Sequence, residues 1–156
     1  MLGTGKGERQ FEVGELIGHR CWRYERKEGL LRSMNSEIWP RDNGTISVPE
    51  KQKMVQTGTS QPVQFSLNGS AGIYSWRKRG WKFISYVTEA AYPIMAVGTV
   101  WHWGNVFEHP HGWRSEHAQI RSVDWLYCYD MSIFSFREKW KIYCEIRENY
   151  KFLDTK

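Results

Sequence analysis

The stretch AAYPIMAVGTVWHWG, residues 90 to 104, is the most apolar in the chain, and the rest of the sequence must supply what buries it. From Val97 to Trp103 it reads as a central strand, with Gly98 permitting close approach of another backbone. Gly104 and Asn105 mark a bend, VFEH a second strand, and Pro110-His111-Gly112 a tight turn. IRSVDWLYCY reads as the last strand. A core of this kind is a sheet, and the remaining segments are read against it.

Upstream, FEVGELIGHRCWRYER has strand character. Ile17, His19, Cys21 and Arg23 alternate with Gly18, Arg20, Trp22 and Tyr24, so the two sets face opposite sides. Lys27-Glu28-Gly29 reads as a turn and LLRSM as the returning strand. Trp39-Pro40 ends that unit, and RDNG at 41 to 44 is a turn signal. Residues 1–12 are Gly-rich and polar and read as a mobile arm, leaving residues 13–156 as a single globular domain. Residues 49–70 read as a long loop. In the tail, Phe136, Trp140, Tyr143, Cys144 and Tyr150 recur near helical spacing, with Ser135 and Glu138 placed for a capping box. One amphipathic helix over 135–152, laid on the sheet, is expected. The fold class is therefore α+β: a strongly curved, mostly antiparallel sheet or partly closed small barrel, with a C-terminal amphipathic helix. By fold analogy it is PUA- or ASCH-like.

Nine Trp, eight Tyr and seven Phe exceed what a core of this size needs, so some rings are available to ligands or partners. The formal charge of +5 favours anionic partners. Cys21, Cys128 and Cys144 show no CxxC spacing and read as reduced, which points to a cytoplasmic protein. There is no apolar run of membrane-spanning length and no signal peptide, so no membrane partner is expected.

Basic and aromatic residues interleave in RKRGWK. Arg77, Arg79 and Lys82 are candidates for phosphate contact, and Trp81 and Trp101 for stacking on a base. Trp101 and Trp103 share a strand face, and Arg114, beside Trp113, requires an anion in the fold or in a ligand. The blander alternative is that the rings are core and the cations a solvated face. His109, His111 and His117 match no fixed metal spacing, so no metal or cofactor is expected. Glu108, His109 and Glu116 are weak catalytic candidates as acid or base, but no nucleophile is named by its context, so a non-enzyme is the first reading and an enzyme stays an open alternative.

The run WGNVFEHPHGWRSEHAQI resembles a segment of small, uncharacterised bacterial and phage proteins with the pattern W-G-x-V-x-E-H-x-x-G-[WY]-R-[AS]-E-x-A. Trp103, Gly104, Val106, Glu108, His109, Gly112, Trp113, Arg114, Glu116 and Ala118 match it. AGIYSW is similar to that family's C-G-I-Y-A segment, and Trp39-Pro40 to its early Trp-Pro. Many relatives carry Cys or His before G-I-Y, where this chain has Ala71, so a metal knuckle implied by the resemblance is not expected here. The resemblance implies a shared fold and gives weight to the Glu108–Arg114 region. These two residues flank the turn and can be cross-strand neighbours: an ion pair between them would hold the turn, whereas without it Arg114 would point toward a site at the strand ends.

Three functional readings follow. The first is a non-enzymatic module that binds nucleic acid or a nucleotide-like anion, in a phage or plasmid accessory role. The second is a protein-interaction module or small inhibitor. The third is a small phosphate- or base-directed hydrolase.

Overall fold

A computed structural model describes residues 8–48, 71–129 and 135–155. Its elements are β1 (Glu8–Glu25), β2 (Leu30–Arg32), β3 (Ile38–Trp39), β4 (Thr45–Ser47), β5 (Ile73–Trp76), α1 (Trp81–Glu89), β6 (Ile94–His109), β7 (Gly112–Cys128), α2 (Phe136–Asn149) and a 3-10 turn (Lys151–Thr155). All strand pairs are antiparallel. The long loop expected at 49–70 lies outside the described residues. β1 starts at Glu8 and pairs there with Phe107, so the strand reaches into the segment read as an arm.

β6 carries most of the apolar stretch at residues 90–104, and it lies between β1 and β7. It runs unbroken past Gly104. The expected bend is a bulge, with the register shifting between Trp103 and Val106, so one long strand replaces two short ones. β7 is likewise continuous from Gly112, joined to β6 by a two-residue turn. Gly98 is required as read: a Cβ there would overlap the Ser122 carbonyl oxygen.

The sheet closes on itself. β7 pairs with β5 through Ile73–Ser115 to Trp76–Gly112, and β5 returns to β1 through one backbone pair, His19 with Trp76. This gives a strongly curved, ring-like sheet, β1–β6–β7–β5 and back to β1. Where β5 and β1 diverge, side chains take over from the ladder. Arg20 donates to the Tyr74 carbonyl and, at 2.8 Å, to Ser33 Oγ. Inside the ring, His102 is fully buried and bonded through Nε2 to Ser75 Oγ and through Nδ1 to Ser115 Oγ. A Cβ at Gly18 would overlap Ser75 Oγ and stand 3.0 Å from His102 Nε2, so only glycine lets the three strands meet here.

Strand alternation places the apolar side chains in two clusters on opposite faces. The inner cluster includes Trp22, Tyr24, Ala96, Val100, Ile120 and Leu126, and α2 adds Ile142, Ile146 and Tyr150. Tyr150 is buried with its hydroxyl donating to the Trp39 carbonyl and accepting from Leu31 N–H, both at 2.7 Å. The outer cluster is Cys21, Met95 and Val97 under α1, which supplies Phe83 and Val87.

α1 was not anticipated. WKFISYVTE is rich in β-branched and aromatic residues, and its N-cap, Gly80, makes no side-chain capping bond. Tertiary packing decides: Phe83 and Val87 fall one helical turn apart, and Trp76 meets Phe83 and Tyr86 at ring distances of 6.0 and 5.8 Å. α2 forms where expected, with Ser135 Oγ accepting from Glu138 N–H at 3.2 Å. Its orientation differs from the aromatic stripe. Ile142, Ile146 and Tyr150 face the core, while Phe136, Trp140 and Cys144 are exposed. The Glu138 carboxylate pairs with Arg26, 2.9 Å away.

Candidate nucleic-acid interface

Among the described residues, α1 covers the outer face at the Cys21–Met95–Val97 end. Further along the same face stand Ile17, Trp101 and Gln119, one cross-strand row, then Trp103 and His117, the next. Ile17 is exposed, and Trp101 and Trp103 are half-buried. The Trp103 ring stacks on His117 at 5.4 Å, and His117 Nδ1 is bonded to Ser47 Oγ at 2.6 Å. The guanidinium of Arg121 lies 5.1 Å from the Trp101 ring, a cation–π distance. Its position comes from a second bulge. The register jumps from Thr99–Ser122 to Val100–Ile120, leaving Arg121 opposite no residue of β6 and turned over the ring.

Arg79 joins this face through His19, the cross-strand neighbour of Thr99. Arg79 Nε donates to His19 Nδ1 at 3.0 Å, and its terminal nitrogen pairs with Asp124. Burial, reinforced by the Arg79 charge, holds the His19 pKa below the usual histidine value. The imidazole is thus neutral at neutral pH and can accept at Nδ1.

The other candidates fall elsewhere. Arg77 stacks over Trp113 at 4.6 Å and donates to Glu108 at 3.1 Å and to the His109 carbonyl at 3.0 Å, clamping the loop after β5 to the β6–β7 hairpin. Lys82 Nζ stands 3.2 Å from His111 Nε2. Trp81, at the start of α1, is 75% exposed. The charges of Arg77 and Arg79 are therefore each met by a carboxylate.

Arg114 corrects the ion pair read across the turn. It is fully buried, opposite Phe107, with its guanidinium 4.6 Å from that ring. It donates to the Ala71 carbonyl at 2.7 Å and to His109 Nε2 at 3.4 Å. Glu108 sits opposite Trp113 and takes Arg77 instead. Arg114 braces the segment leading into β5. Of the catalytic candidates, His109 is buried against Arg114, and the Glu116 carboxylate accepts from Asn105 N–H at 2.9 Å across the bulge. Glu108, His109 and Glu116 each have a different structural partner and do not converge. Among the described residues no cluster of three His, Cys, Asp or Glu is spaced to hold a metal ion.

Sequence alternation indicates the Trp101–Trp103 pair. It misses Arg121 and His117, because the bulges that aim them change the strand's parity. Against family models, characterised proteins and solved structures, the chain finds no match.

Proposed function

We propose that the outer face of β1, β6 and β7 binds nucleic acid or a nucleotide-like anion without chemical conversion. The supporting observation is the juxtaposition of two half-exposed indoles, Trp101 and Trp103, with the Arg121 guanidinium over one of them. Indole faces stack on bases regardless of sequence, at about 1–3 kcal/mol per base, and guanidinium groups supply phosphate contact. Arg79 borders the same face, although part of its charge is taken by Asp124. Lys82 and Trp81 extend the basic and aromatic character toward the hairpin tip.

The test is a titration of labelled single-stranded DNA, single-stranded RNA and duplex, repeated across salt. Affinity is expected to fall steeply as salt rises, and Trp101→Ala to weaken binding by about 5- to 150-fold, the equivalent of one lost stack. Absence of binding to all three, or binding that Trp101→Ala and Arg121→Ala leave unchanged, would overturn the reading.

A further inference from the structure

α2 is fastened to the sheet by Ile142, Ile146 and Tyr150. Its opposite side carries Phe136 and Trp140, 87% and 61% exposed, four residues apart and so on one stripe. Trp140 is backed by Tyr143, stacked at 5.7 Å, which fixes the indole in an outward position. Arg137 and Lys141 are exposed beside the rings. The acids of the helix do not balance them. Glu138 and Glu145 are both drawn to Arg26, at 2.9 and 2.7 Å, leaving Glu148 as the remaining acid of α2. The outward face is thus cationic, with two protruding rings.

We propose that this face of α2 rests on an anionic lipid bilayer, with Phe136 and Trp140 entering the headgroup zone and Arg137 and Lys141 meeting lipid phosphates and carboxylates. A second copy of the chain would bring Arg137 and Lys141 against their own kind. A folded protein partner must offer a preformed pocket to each projecting ring, whereas the bilayer interface admits aromatic side chains without one. Charge complementarity selects anionic lipid over neutral lipid. The contact is peripheral: no helix among the described residues is long and apolar enough to cross a membrane. It is also separate from the Trp101 face, because α2 packs on the inner side of the sheet and Trp101 lies on the outer.

The test is co-sedimentation of the full chain with phosphatidylcholine vesicles, with and without phosphatidylserine. Binding is expected only with phosphatidylserine, and to weaken with salt. Phe136→Ala with Trp140→Ala should lower it at least about tenfold. Arg137→Gln with Lys141→Gln should lower it by about 25-fold, roughly fivefold for each cation lost at an anionic surface. Both double variants should keep the parent's circular dichroism and its nucleic-acid affinity, so failure here is distinguishable from failure of the Trp101 reading. Equal binding to the two vesicle types, no binding to either, or binding indifferent to the ring substitutions would overturn the proposal. So would a self-association seen in sedimentation that the ring substitutions abolish, which would assign the face to a second copy.

Discussion

His102 shows how a single side chain can hold strands that backbone pairing alone does not. It bridges Ser75 on β5 and Ser115 on β7 from β6, one serine hydroxyl to each ring nitrogen, and in the neutral form one nitrogen donates while the other accepts. Burial, with a smaller contribution from the Arg20 charge, pushes its pKa down to about 3. In the unfolded chain the same imidazole takes a proton below about pH 6.5. The stability it confers is complete above that value and drains away as pH falls toward 3, at up to about 1.4 kcal/mol per unit. Urea unfolding between about pH 7 and pH 5 should therefore show a steeper loss in the parent than in His102→Asn, by up to about 2 kcal/mol. Parallel profiles would mean that the histidine is not held neutral. Gly18 belongs to the same joint. Because its missing Cβ makes room for Ser75 and His102, Gly18→Ala should cost about 1–3 kcal/mol or more through forced displacement. Denaturant titration reads this directly, and a change within about 0.5 kcal/mol would show that β5 can move aside. Neither role is legible in the sequence, where Gly18 and His102 are 84 positions apart and nothing local joins them.

At the level of elements, legibility followed whatever alternation and turn chemistry encode. β1, the Lys27–Gly29 turn, β2 and the Pro110–His111 turn were all readable, because each is decided by near neighbours in sequence. α1 was hidden, since its residues favour strands and only the Trp76, Cys21, Met95 and Val97 surface makes its helical face pay. In α2 the caps revealed the helix, but aromatic size misdirected the choice of face. Ile142 and Ile146, one turn apart, are the buried pair. The consequence is measurable. Ile146→Ala should destabilise by about 2–5 kcal/mol, whereas Phe136→Ala should stay within about 0.5 kcal/mol. The reverse ranking in thermal or urea unfolding would restore the aromatic stripe as the packed face. Arg26, which ties α2 to the end of β1 through Glu138 and Glu145, is a weaker fastening, as all three side chains are about a third exposed. Arg26→Ala should cost less than about 1 kcal/mol, and less still in high salt.

Across the whole molecule, the ring is unevenly closed. β6 is paired along nearly its full length on both sides, to β1 and to β7. β5 is short, has four residues paired to β7, and meets β1 through one backbone pair. The rest of the seam is side-chain work, with Arg20 reaching from β1 to the Tyr74 carbonyl and His102 from β6 to Ser75. A curved or partly closed sheet is legible in the sequence, but the residues that close it are not, because closure depends on residues from four separate strands meeting at one place. This asymmetry also divides the molecule by stability. Segments with few backbone pairs open locally at lower free energy than a fully paired strand. Native-state hydrogen exchange should find the β5 amides less protected than those of β6 between Ala96 and His102. Arg20→Met, which keeps much of the apolar stem and removes the guanidinium, should lower β5 protection while leaving β6 nearly unchanged. Equal protection of the two strands, or a uniform loss in the variant, would show that the ring opens only as a unit and that the seam has no independent weakness.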